Sequence, residues 1–193
     1  MNDNPPPLII SVTGACSNVG KTTLCSILLN ELKGFGAVKF SKTEMYTSII
    51  DDLEILNQKD KDTAVMLEAG AEKVVWIKSP RDGLKDALDI AFGKLYGLKG
   101  VIVEGNSPVD FLNPSLVIFI INPDGEIKPS AAEVFKRAEI VIINSDKEIK
   151  DQAFSTAIFP ENAVFFRINL KNKEGEIGKF LSHVKRKIIR DKD

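Results

Sequence analysis

Gly14-Ala15-Cys16-Ser17-Asn18-Val19-Gly20-Lys21-Thr22-Thr23 is the stretch from which the fold is read. The apolar run Leu8-Ile9-Ile10-Ser11-Val12 precedes it, and a helical pattern from Leu24 to Leu32 follows. From Ala15 onward it matches a phosphate-binding loop of the form Ala-x-x-x-x-Gly-Lys-Thr. Such a loop wraps a chain of phosphates with inward-pointing backbone N–H groups, and Gly20 removes the side chain where the backbone turns most tightly. A helix that begins at Lys21 adds the positive end of its dipole. Lys21 is then placed to set its ammonium on the terminal phosphates, and the Thr22 hydroxyl to ligate Mg²⁺. The pattern alone also arises by chance in plain strand-turn-helix units. Here a buried-type strand precedes it and an amphipathic helix follows, the context that supports nucleotide binding by Gly14 through Thr23.

Working outward, 193 residues suit one domain, expected over residues 8–190 after a proline-stiffened lead-in at 1–7. Apolar residues at 44% and charged residues at 27% are ordinary for a globular chain. A net charge of −1 gives no reason to expect nucleic acid or an acidic membrane as partner. No apolar run approaches the roughly 18 residues a membrane span needs. The start of the chain has neither a basic stretch nor an apolar signal core, so a cytoplasmic location is expected. Of the two cysteines, Cys16 lies in the loop and Cys25 on the following helix, which reads as reduced thiols. No metal-type Cys/His cluster and no Ser-His-Asp set is visible, and the single histidine, His183, sits late in the chain.

Apolar runs at 8–13, 36–40, 74–77, 101–103, 116–121, 140–143 and 163–168 read as strands, and helical patterns separate most of them. The alternation predicts an α/β fold: a doubly wound, mainly parallel sheet with helices on both faces, three layers in all. Gly34 is expected to end the first helix, and Asp62 to cap a helix over 62–69 that Gly70 terminates. Ser79-Pro80-Arg81-Asp82 reads as a helix start, with Leu84, Leu88, Ala91, Phe92 and Leu95 as the buried stripe. Ser130 and Glu133 read as a capping box, and a short helix is expected near 148–155. The last helix sets Ile177, Phe180, Leu181, Val184 and Ile188 on one face. Lys179, Lys185, Arg186, Lys187 and Arg190 lie on the other, as a solvated basic face or a contact for an anionic partner. Residues 41–60 read as irregular, either a switch or substrate loop or a surface loop with a helical turn.

Ligands of parallel sheets bind at the carboxyl ends of strands. Glu104 ends the fourth strand in Val-Ile-Val-Glu-Gly, where a carboxylate holds Mg²⁺ directly or through water, or positions the attacking water. Lys21 and Glu104 are therefore the catalytic candidates, and Thr22 and Glu104 the metal candidates. Asn144-Ser145-Asp146-Lys147 follows the sixth strand, where many GTP-binding proteins carry Asn/Thr-Lys-x-Asp. The order of the lysine and the acid differs here, so Asn144 and Asp146 are candidates for reading a base, with helix capping as their alternative. Cys16 is either an oxidisable thiol at a helix start or simply a small residue in the loop.

These residues resemble the molybdopterin-guanine dinucleotide biosynthesis protein B (MobB) family of P-loop NTPases. Residues 11–24 are similar to the family's phosphate loop. Val38-Lys39-Phe40-Ser41-Lys42-Thr43 is similar to its strand ending in Lys-His, with Lys42 on the Lys and Thr43 in place of the His. Lys61-Asp62-Thr63, then Glu68-Ala69-Gly70-Ala71, then Ser79-Pro80-Arg81 resemble its Lys-Asp-Ser, Ala-Gly-Ala and Ser-Pro-Arg series, and Val103-Glu104-Gly105 its Val-Glu-Gly. The likeness spans about residues 8–107. It implies a small, often homodimeric GTP-binding protein of low turnover that needs Mg²⁺. Such a protein assists a separate nucleotidyltransferase in guanylylating molybdopterin, with Lys42 and Asp62 toward the substrate. ATP as the nucleotide, a non-hydrolysing adaptor, and an ATP-dependent kinase or ligase like dethiobiotin synthetase are the alternatives. Related ATPases with an extra loop lysine are disfavoured, because Gly14 and Ala15 stand at those positions.

Overall fold

A computed structural model describes residues 7–123, 126–145 and 160–190. Among these residues run nine strands: β1 (Leu8–Gly14), β2 (Phe35–Lys42), β3 (Ser48–Ile50), β4 (Val74–Ser79), β5 (Gly100–Glu104), β6 (Leu116–Ile121), β7 (Ile140–Asn144), β8 (Val164–Asn169) and β9 (Glu174–Gly175). The helices are α1 (Lys21–Glu31), α2 (Leu53–Leu56), α3 (Asp62–Glu68), α4 (Arg81–Lys94), α5 (Ala132–Lys136) and α6 (Ile177–Arg190). The strands form one sheet in the order β3-β4-β2-β5-β1-β6-β7-β8-β9. Pairing is parallel from β4 through β8, while β3 and β9 add antiparallel edges. The expected α/β architecture is the observed one.

Burial on both faces explains why the central strands are continuously apolar. In β6, Leu116, Ile118 and Ile120 pack into a core with Leu24 and Leu28 of α1, Met66 of α3, and Phe180 and Val184 of α6. Val117, Phe119 and Ile121 alternate with them and face the opposite layer, where Phe119 meets Phe135 of α5 at 4.9 Å between ring centroids. On that same side Leu84, Leu88, Ala91 and Leu95 of α4 cover Val38, Val75, Ile77, Val101 and Val103. Each such large side chain, fully withdrawn from water, contributes about 1.5–3 kcal/mol. The layers therefore hold β1 rigidly between β5 and β6 and fix the loop that leaves its end.

Several local expectations give way to the tertiary structure. The helix α1 ends at Glu31, where the Leu32 N–H bonds back to Leu28, and Gly34 lies beyond it with φ +85°. Asp62 is the first helical residue of α3 and not its cap; Lys61 takes the cap position and the Asp62 carboxylate goes to Lys39. At α4 the cap position is Pro80, because Ser79 remains the last residue of β4 and spends its hydroxyl on the Pro80 carbonyl and on Thr47. Ser130 sits inside a 3₁₀ turn (Pro129–Ala131) started by the proline, so no capping box forms, and Glu133 pairs with Lys136. The segment 41–60 contains β3 and the single turn α2, which Asp52 caps by accepting from the Glu54 N–H at 2.8 Å. The helix expected near 148–155 falls outside the described residues. The basic face of α6 is tied down in part, Lys185 to Glu31 at 2.7 Å and Lys187 to Glu139 at 2.8 Å. Among the described residues no helix is long and apolar enough to cross a membrane.

Candidate functional site

The loop between β1 and α1 is held from both sides. Thr13 anchors the end of β1 by donating its hydroxyl to the Ile118 carbonyl at 2.8 Å. The Gly14 N–H donates to Asn106 Oδ1 at 3.0 Å, and Asn106 Nδ2 donates to the Gly14 carbonyl at 2.9 Å. On the far side Asn144 Nδ2 donates to the Val19 carbonyl at 3.0 Å, and its Oδ1 accepts from the Leu170 N–H at 3.0 Å. Both ends of the Asn144 amide are thus engaged inside the protein. Gly20 adopts φ +106°, and a Cβ there would stand 2.8 Å from Leu170 Cδ1 and 3.0 Å from Asn144 Nδ2. Only glycine meets both demands.

Beside the loop the charged groups converge. Lys21 Nζ donates to the Cys16 carbonyl at 2.9 Å. The Thr22 hydroxyl donates to Glu104 Oε2 at 3.0 Å, and the other Glu104 oxygen accepts from the Lys39 ammonium. Lys39 also pairs with Asp62 at 2.6 Å. The Glu104 side chain is 3% exposed, and the cost of burying it is offset by its Lys39 and Thr22 partners. Burial pulls Lys39 toward its neutral form, but Glu104 first and Asp62 second outweigh it and hold its pKa above the ordinary lysine value. Lys21 goes the other way: burial lowers its pKa, Glu104 opposes that, and Lys39 adds to it. These groups line a cleft of about 380 Å³ that also takes in Ser17, Asn18 and Gly105.

Of the residues singled out from sequence, Ser17, Asn18, Gly20, Lys21, Thr22, Thr23, Asp62 and Glu104 meet at this cleft. Gly14, Ala15 and Val19 are buried beneath it as structural support. Cys16 faces a neighbouring cleft with Asn122, whose Nδ2 lies 3.8 Å from its sulfur. Lys42 stands apart, exposed and 3.5 Å from Glu44. Ser145 follows Asn144 behind the loop, and Asp146 lies outside the described residues. Sequence reasoning missed Lys39 and Asn106. A lysine in the apolar strand Ala37-Val38-Lys39-Phe40 was the available signal for the first, since a mid-strand cation in a buried sheet needs a partner. The β2–β5 register supplies that partner by setting Lys39 beside Glu104.

No family model and no curated protein matches the chain. Solved structures do resemble it. HypB from Helicobacter pylori, in complex with nickel, superposes with a TM-score of 0.60 at 17% identity, over 96% of this chain and 89% of that one. A plasmid partition protein from Borrelia burgdorferi gives 0.54 at 13% identity, over 94% and 99%. LpxK from Aquifex aeolicus, in complex with ATP, gives 0.52 at 19% identity, over 84% of this chain but 54% of that one. At such identities the likeness is one of fold alone, a mainly parallel α/β sheet covered by helices.

Proposed function

We propose that the cleft binds the phosphates of a nucleoside triphosphate together with Mg²⁺, and that the chain cleaves the terminal phosphoryl group slowly. The observation that carries this reading is the convergence of Lys21, Thr22 and Glu104 on one cleft at the start of α1. The donor set fits the ion: Mg²⁺ in such sites takes one or two protein oxygens and fills its shell with phosphate and water. Thr22 and Glu104 would supply those oxygens, and the bound ion would supply charge neutralisation across the phosphates. Among the described residues no cluster of three or more His, Cys, Asp or Glu offers a competing metal site.

The chain's own part follows from what each group must release. Lys21 exchanges the Cys16 carbonyl for a phosphate oxygen, a stronger partner for an ammonium. Thr22 and Glu104, now hydrogen-bonded to each other, would instead hold the ion. Glu104 must also share or lose Lys39, which holds one of its two oxygens. Lys39, freed toward the phosphates, adds a second cation to a reaction that depends on positioning and charge.

The narrower reading is a GTP-binding, MobB-like accessory to molybdenum cofactor guanylylation, and it rests on the resemblance over residues 8–107. An adaptor that binds nucleotide without turnover is favoured over it by one specific feature, the Lys39 ion pair that occupies Glu104. Calorimetric titration with GTP and ATP, each with and without Mg²⁺, tests the whole reading. Lys21→Ala is expected to abolish measurable triphosphate binding, and equal affinity in variant and parent would overturn the assignment. Tighter ATP than GTP would exclude the MobB-like form. Hydrolysis unaffected by Glu104→Gln would take Glu104 out of the reaction, and binding without hydrolysis in the parent would leave only the adaptor.

A further inference from the structure

A second cleft, of about 350 Å³, shares Phe40 as a lining residue with the phosphate cleft. Two elements far apart in sequence bring cations to it: Lys42 from the end of β2 and Arg81 from the start of α4. The Ser107 and Ser130 hydroxyls also line it, and neither makes a hydrogen bond within the described residues. One carboxylate, Asp110, opposes the two cations and accepts from Arg81 Nη1 at 2.8 Å. Lys42 has only the loose contact with the exposed Glu44. Arg81 is further oriented by the Phe111 ring, 5.4 Å from its guanidinium carbon. The wall toward the phosphate loop is Asn106, whose amide is already spent on Gly14. Two cations against one lining carboxylate, unspent hydroxyls and an apolar wall (Phe40, Val134) are what a small anionic molecule with an apolar body requires.

We propose that this cleft is the binding site for a second, small anionic ligand, carrying a phosphate monoester or carboxylate, seated beside the nucleotide cleft. Arg81 grips the anionic group as a fork, trading Asp110 for the ligand, and Lys42 adds a point charge. The role as co-substrate site rests on the nucleotide reading above; the binding itself does not.

The test is a nuclear magnetic resonance titration of the whole chain, with and without Mg²⁺ and a non-hydrolysable triphosphate. The probes are phenyl phosphate, benzoate and the neutral benzyl alcohol. Saturable shifts of the amides of Asn106, Ser107 and residues 130–134 are expected with the anions and not with the alcohol, and the tighter anion identifies the group. Arg81→Gln and Lys42→Gln should each weaken the binding by about tenfold, the loss of one charge-assisted contact. Asp110→Asn should tighten it by about threefold, a gain that mere loosening of the fold would not produce. Lys21→Ala should leave these shifts unchanged. Shifts confined to residues 15–23, loss of the effect in Lys21→Ala, or weakening by Asp110→Asn would each overturn the proposal. Failure of the parent protein to take up the triphosphate would instead sink the nucleotide reading, and the probe titration would still decide this one.

Discussion

Lys39 is the residue on which the site's electrostatics turn. It neutralises a carboxylate that is 3% exposed and bridges it to Asp62 on another element. Lys39→Met would leave Glu104 with the Thr22 hydroxyl alone, a loss of about 3 kcal/mol of stability by the usual cost of breaking a buried pair from one side. Adding Glu104→Gln to that variant should recover most of the loss, because the remaining group is then neutral. Urea denaturation of the two variants measures both effects, and equal stability of Lys39→Met and parent would make Lys39 a bystander. Removing Lys39 also removes a cation that competes for Glu104, so less Mg²⁺ should be needed to support triphosphate binding. The pH behaviour has opposite signs at the two lysines. The folded pKa of Lys39 is raised, so its stabilisation is complete below its ordinary value of 10.5 and is lost only as pH rises through the higher folded value. Lys21 is depressed, so in the ligand-free protein it surrenders its proton below 10.5. Phosphate binding needs the ammonium, hence triphosphate affinity should fall with rising pH before 10.5 is reached. Affinity that stays level to that pH would refute the role given to Lys21.

At the scale of elements, the loop is a strap between two asparagines that close the ends of β5 and β7. Asn106→Ala strips Gly14 of two hydrogen bonds and Asn144→Ala frees Val19 and Leu170. Each should lower triphosphate affinity by about thirtyfold, since two net hydrogen bonds near 1 kcal/mol apiece no longer pre-form the loop. Gly20→Ala should cost more, through its φ of +106° and the clash with Leu170. Titration of the three variants with one triphosphate ranks them, and an Asn106→Ala protein that binds as the parent does would show that the strap is not needed. The sequence made the strap itself readable, together with Glu104 at a strand tip, because both rest on local pattern and on the rule that ligands meet strand ends. What braces the strap was not legible, for the partners are 92 and 125 residues away from it. Periodicity likewise found the seven parallel strands and passed over β3 and β9, which at three and two residues are too short to show alternation. Capping signals at Ser79 and Ser130 misled because neighbouring prolines moved the turns, one residue later at Pro80 and one residue earlier at Pro129. Lys42 drew attention through family resemblance, whereas the β2–β5 register selects Lys39.

For the molecule as a whole, the two cysteines report on two different openings. Cys25 is fully buried on α1 against the sheet, and burial pushes its thiol pKa well above the ordinary value, so it reacts only when the core comes apart. Cys16 lies partly exposed in the loop itself and should react from the folded state. A thiol reagent should therefore modify the protein in two phases, a fast one at Cys16 and a slow one at Cys25. On the proposed function, Mg²⁺-triphosphate would bind only the folded chain, and at about one hundred times its dissociation constant it should stabilise that chain by about 2.7 kcal/mol. The Cys25 phase should then slow by about a hundredfold, in proportion to the fall in the unfolded population. Urea at a concentration that halves the folded fraction should erase the difference between the two thiols. Cys25 stands three residues beyond Thr22 on α1, so the ligand guards it through the same helix whose release from the sheet would expose it. If the ligand protects Cys16 while the Cys25 rate stays where it was, the layers do not unfold as one unit, and the loop opens on a scaffold that the nucleotide fails to reach.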